Sequence, residues 1–189
     1  MPSEHPPEPW RSLLEEIDRQ TNENLSLHCI GGFAVTVVYG AARTTADLDV
    51  LWTIQSPSAS ATLALAERGS ELHRRFGVYI DRVSVATPPC DYERRLTEIF
   101  PGAFQRLRLF VPDAYDLALL KLDRNIQRDR DDVKWLARST PFDLAILRRR
   151  YMEEQREYMA GPVERHDLTL RLWIGMIEED RLIDPSRKL

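Results

Sequence analysis

The feature that most restricts the fold is a junction. The apolar run Leu25–Ile30 ends on Gly31-Gly32, and a second apolar run, Phe33–Tyr39, follows at once. Six residues rich in Leu, Ile and Cys read as a short buried strand. Two glycines between it and the next apolar run mark a strand–turn–helix junction. Gly40 ends that helix at the usual C-terminal place for glycine.

Beyond the junction, strands and helices alternate. Asp47–Ile54, rich in Val, Leu, Trp and Ile, predicts a strand. Ser56-Pro57-Ser58 opens a helix that runs to about Phe76 and closes at Gly77. Val78–Val85 predicts a third strand, Thr87–Pro89 breaks the pattern, and Arg106–Val111 predicts a fourth. Pro112-Asp113 then starts a helix reaching about Ile126. Further helices are expected over about Asp129–Arg138, Pro141–Tyr158 and Val163–Glu179, with a break at Gly161-Pro162. In that last helix, Trp173 and Ile174 read as core. Ahead of the junction, Trp10, Leu13, Leu14 and Ile17 have the spacing of an amphipathic helix over Trp10–Gln20. The proline-rich residues 1–9 are expected to be extended or disordered. Strands mixed with helices followed by helices alone make an α+β fold. The expected division is a lead-in at 1–9, a main domain at 10–140 and a helical C-terminal extension at 141–189.

Two residues apart on a strand, Asp47 and Asp49 share a face, while Leu48 and Val50 turn into the core. Adjacent carboxylates repel unless a positive partner lies between them, and a divalent metal with oxygen ligands is the simplest one. A solvent-facing acidic strand carries the same pattern. Gly31 and Gly32, at a helix start, offer backbone N–H groups to phosphate oxygens; a plain tight turn needs them too. Arg43 stands between the two features as a phosphate clamp or a surface arginine. Asp81 shares a strand face with Tyr79, Val83 and Val85. A charge on an apolar face calls for an ion pair or a metal. As a third carboxylate, Asp81 would also serve as general base toward an acceptor hydroxyl.

Taken together, Gly31-Gly32-Phe33-Ala34, Gly40 and Arg43-Thr44-Thr45-Ala46-Asp47-Leu48-Asp49-Val50-Leu51 resemble the signature of the minimal nucleotidyltransferases. The likeness is to the AbiEii-like abortive-infection toxin branch and its bacterial relatives. The segments Leu117–Leu122 and Arg128–Val133 are similar to a second block of that pattern. The resemblance implies a mixed sheet flanked by helices, followed by a helical C-terminal half. It implies transfer of a nucleoside monophosphate from a nucleoside triphosphate to a tRNA or protein hydroxyl, and a cognate antitoxin as partner. Asp47, Asp49 and Asp81 would hold Mg²⁺ and act in catalysis; Gly31, Gly32, Arg43, Thr44 and Lys121 would bind the nucleotide. The chain departs from the common pattern at Gly32, where many such enzymes carry serine. A degenerate, non-turning-over binding module is the alternative reading.

A net charge of −4 excludes a nonspecific nucleic-acid coat but leaves room for a local basic patch. Arg74-Arg75, Arg94-Arg95, Arg106, Arg108, Arg124, Arg128, Arg130 and Arg148–Arg150 would supply it, unless they pair with nearby acids. Cys29, in an apolar run, and Cys90, after two prolines, read as a buried thiol and a loop thiol. No apolar stretch reaches membrane length, and residues 1–10 lack the basic and apolar segments of a signal peptide. The expected location is the cytoplasm.

Overall fold

A computed structural model describes residues 4–51 and 56–183. These divide into two compact units, residues up to Ser84 with Leu96–Val111, and Val85–Arg95 with the residues from Pro112 onward. The chain passes between the units at Ser84–Val85, Arg95–Leu96 and Val111–Pro112.

The first unit holds a mixed five-stranded sheet: β1 (Leu25–Ile30), β2 (Asp47–Leu51), β3 (Tyr79–Val83), β4 (Thr97–Ile99) and β5 (Leu107–Val111), in the order β3-β2-β1-β5-β4. β1 is parallel to β5 and antiparallel to β2; β2 is parallel to β3. Helices α1 (Trp10–Gln20), α2 (Gly31–Phe33), α3 (Pro57–Ala64) and α4 (Glu71–Phe76) accompany the sheet. The apolar stripe of α1, Trp10, Leu13, Leu14 and Ile17, is buried as its spacing requires. The alternation along β2 puts Leu48 and Val50 fully inside. Asp18, near the end of α1, accepts hydrogen bonds from the N–H groups of Gln105, Arg106 and Leu107 at 2.9, 2.8 and 2.8 Å, tying the entry of β5 to the helix.

Several boundaries differ from expectation. α2 continues as a π-helical stretch, Ala34–Val38, before Gly40 turns the chain at φ +70°. The long helix expected over 56–76 is two helices, because Gly69 takes φ +84° and Ser70 caps a fresh start by accepting from the His73 N–H. β4 was not expected at all; three residues are too few to show a strand period. The end of the expected second strand, 52–54, lies outside the described residues. Residues 4–9 are partly tied down: Pro6 is buried, and Glu8 accepts from the Ser12 hydroxyl at 2.8 Å.

The second unit is helical, with α5 (Ala114–Leu119), α6 (Gln127–Ser139), α7 (Leu144–Arg150) and α8 (Val163–Ile183). Asp113 caps α5 by accepting from the N–H groups of Tyr115 and Asp116. α5 gives way to turns after Leu119, short of the expected end near Ile126. After α7 the chain passes through a π-helical stretch, Tyr151–Gln155, and a 3₁₀ turn, Arg156–Tyr158. Trp173 is buried, and its indole N–H donates to Asn125 Oδ1 at 2.9 Å. Among the described residues no helix is long and apolar enough to cross a membrane.

Candidate active site

The strand register brings the first block of residues together. Asp49 is paired with Ile30 of β1 on one side and with Asp81 of β3 on the other. Because β2 and β3 are parallel and in register, Asp49 and Asp81 point to the same face, and Asp47 shares it by alternation. All three carboxylates of the predicted set therefore lie on one face of the sheet.

The glycine junction meets them there. Gly31 has φ +62°, and a Cβ on it would stand 1.7 Å from Asp49 Oδ2. Position 31 is glycine for two reasons: a left-handed backbone and a carboxylate seated against it. A Cβ on Gly32 would stand 2.6 Å from Thr45 Oγ1 and 3.2 Å from both terminal nitrogens of Arg43. So Arg43 reaches back over the start of the helix, as a phosphate clamp must. The Thr36 hydroxyl donates to the Gly32 carbonyl at 2.9 Å and steadies the turn.

Two expectations change at this point. Asp81 does not sit on a buried apolar face: it is exposed, as is Val85, and Val83 is half-buried. Only Tyr79 of that set is buried, with Arg68 stacked over its ring at 4.6 Å and hydrogen-bonded to its hydroxyl. Asp81 thus faces solvent at the sheet edge, where an acceptor can approach. Thr44 is exposed and makes the rim; Thr45 is the threonine that faces inward, donating its hydroxyl to Asp47 Oδ1. Thr45 and Arg68 were not among the expected site residues. The i to i+2 spacing of Thr45 and Asp47 was the available signal for the first; Arg68 is brought in by tertiary packing alone.

Lys121 is placed differently from expectation. It lies in the turns after α5, buried, with Nζ 2.9 Å from Asp132 Oδ2 and 3.7 Å from Asp129 Oδ1. Asp129 also receives Arg124 in a two-pronged pair at 2.9 and 2.6 Å and the Ile126 N–H at 3.1 Å. Burial pushes the Asp129 carboxyl up, but Arg124 and Lys121 outweigh it and hold it below its ordinary value. The lysine and the Arg128–Val133 segment are thus joined in the second unit as an ion-pair network.

Several arginines of the possible basic patch are similarly engaged. Arg95 pairs with Asp116 at 2.8 Å and Glu154 at 2.6 Å, and Arg150 with Asp113 and Asp116 at 2.7 and 2.9 Å. Arg108 holds Glu98, Arg124 holds Asp129, and Arg130 binds Asn125. Neighbouring acids account for Arg95, Arg108, Arg124 and Arg150.

Gly31 is seated against Asp49, and Asp49 pairs in register with Asp81, on one face of the sheet. Over residues 10–179 the sequence matches the family described as nucleotidyltransferase of unknown function (DUF6036). The chain belongs to this family. No curated protein and no solved structure matches it significantly.

For a member of this nucleotidyltransferase family, a divalent ion is the implied partner, and the donor set fits one. Three carboxylates on one face are hard oxygen ligands of the kind Mg²⁺ takes. Their oxygens are not gathered as tightly as in a closed cage. Among the described residues, only Cys90, Asp91 and Glu154 have donor atoms all within 4.8 Å of one another. Glu154 of that trio is already paired with Arg95. Beside the carboxylate face, an open cleft of about 1410 Å³ runs from Arg43, Thr44 and Thr45 to Phe100, which holds a strained φ of +52°.

Proposed function

We propose that this family member transfers a nucleoside monophosphate from a nucleoside triphosphate to a hydroxyl of an RNA, such as a tRNA end, or of a protein. The observation that carries the reading is the register pair Asp49↔Asp81, with Gly31 seated against Asp49. Asp47, Asp49 and Asp81 would hold Mg²⁺, which when bound offsets the triphosphate charge and polarises the reacting phosphorus. Gly31 and Gly32 leave room for phosphate oxygens at the helix start, and Arg43 and Thr44 flank them. Asp81, exposed at the edge, accepts the proton of the acceptor hydroxyl. The hydroxyl oxygen bonds to the α-phosphorus, the bond from that phosphorus to the bridging oxygen breaks, and pyrophosphate leaves with the electron pair. Lys121 contributes to nucleotide binding only after exchanging Asp132 for phosphate. The abortive-infection resemblance further implies a toxin role with a cognate antitoxin as partner. Its sign would be growth arrest by the wild-type chain and none by Asp49→Asn.

One observation favours the degenerate reading: Gly32 stands where many such enzymes carry a serine. The deciding experiment is pyrophosphate release from each of the four ribonucleoside triphosphates with cellular RNA and protein as acceptors. Release that needs Asp49 supports transfer. Nucleotide binding without release, in wild type and variant alike, supports the binding module.

A further inference from the structure

Thr45 lies where the two arms of the site cross. Its hydroxyl donates to Asp47 Oδ1, and Oγ1 is also 3.3 Å from the Asp47 carbonyl. On its other side, the same oxygen stands 2.6 Å from the point a Cβ on Gly32 would occupy. A side chain at position 32 and the Thr45 hydroxyl exclude each other in this arrangement. The residue is half-buried, at the root of the loop that carries Arg43.

A carboxylate two residues from another on one strand face is pushed by like charge toward rotamers that separate them. A hydroxyl donor on one oxygen selects one rotamer and leaves the other oxygen for an ion. Such outer partners orient ligands and tune their affinity. We propose that Thr45 is a positioning residue that fixes the direction of the Asp47 carboxylate, and that position 32 is glycine in order to admit it. The inference rests on the reading of Asp47 and Asp49 as ligands of a divalent ion. It gives the departure from Gly-Ser a physical meaning: the hydroxyl is delivered from the following loop and turned onto the carboxylate.

The test is Mn²⁺ titration of the full chain, followed by electron paramagnetic resonance, with the fold checked by circular dichroism. Thr45→Val keeps the branched bulk and removes the donor; Thr45→Ser keeps the donor. The expected result is about tenfold weaker Mn²⁺ binding for Thr45→Val, with Thr45→Ser within about threefold of wild type. Gly32→Ala should weaken binding in the wild-type background and add little to Thr45→Ala, where the displaced oxygen is already gone. The proposal is overturned if Thr45→Val binds as wild type, if Thr45→Ser falls as far as Thr45→Val, or if Gly32→Ala and Thr45→Ala add. Should Thr45→Val not fold, the serine variant and the Gly32 pair decide. Failure of the underlying reading looks different: wild type takes up no Mn²⁺, or Asp49→Asn binds it unchanged, and the positioning role then falls with it.

Discussion

The two units use aspartate in opposite ways. In the helical unit, Asp116, Asp129 and Asp132 are buried, and each meets a cation: Arg95 and Arg150, Arg124, and Lys121. In the sheet unit, Asp47 accepts from a neutral threonine, Asp49 stands against a glycine, and Asp81 faces solvent. A buried carboxylate with a matched cation is committed to the fold, since removing either partner strands a charge. The sheet-unit carboxylates instead share a partly accessible face, beside a hydroxyl and a glycine. Residue types alone therefore do not fix a role: both blocks of the family pattern are rich in aspartate, and the second is held in buried ion pairs.

If that division is right, substitutions should separate activity from stability. The largest effect is expected from Asp49→Asn. Loss of roughly 4 kcal/mol of transition-state stabilisation is about a thousandfold in the rate of pyrophosphate release. The same variant should keep the wild-type fold, as circular dichroism will check, so that the loss is one of activity. An Asp49→Asn protein that is equally active, or that is strongly destabilised, breaks the comparison.

Next is Lys121→Met, which takes one cation from Asp132 and one from Asp129. Stranding buried charge costs about 3–5 kcal/mol, read as an earlier urea midpoint, while Mn²⁺ affinity stays as in wild type. A variant that is fully stable but fails to bind nucleotide would move Lys121 from the fold to the site.

Gly31→Ala sharpens the boundary between the two. The left-handed backbone costs about 1–2 kcal/mol for any other residue, and the added Cβ displaces the Asp49 carboxylate. Both stability and ion binding should fall, with binding falling further.

The smallest effect belongs to Asp167, which accepts from Arg156 and Tyr151 in the helical unit. The Arg156 guanidinium, and then the Tyr151 hydroxyl, hold its carboxyl down at about 2, from an ordinary 3.8. A depressed carboxyl stabilises the fold above its unfolded value and loses that contribution as pH falls through the folded one. Asp167→Asn should therefore cost a little stability at neutral pH, by about 1 kcal/mol or less for a part-exposed pair. The gap to wild type should close between about pH 4 and about pH 2, as urea midpoints across that range will show.

What was legible in the sequence was local. The glycine junction, the Asp47/Asp49 alternation and the amphipathic α1 each follow from a period or a backbone requirement within a few residues. Asp81 could be assigned to a strand but not to an environment, because its exposure depends on β3 being a sheet edge. The ion pairs of Lys121 were not legible, because its partners Asp129 and Asp132 lie on the next helix and only the packing brings them to it. The split of the long helix hung on Gly69 and Ser70, a stop and a restart that apolar spacing alone runs through. Thr45 was in view within the motif. Its bond to Asp47 depends on the room left by Gly32, which only the fold displays.

The central claim is that the β2–β3 face holds a metal-bound nucleoside triphosphate. It is tested most directly by calorimetric titration of the four ribonucleoside triphosphates, with and without Mg²⁺, into wild type and the Asp47→Asn/Asp49→Asn double variant. The account predicts Mg²⁺-dependent binding of at least one nucleotide by wild type and its loss in the variant. Equal binding by both proteins, or binding indifferent to Mg²⁺, would contradict it.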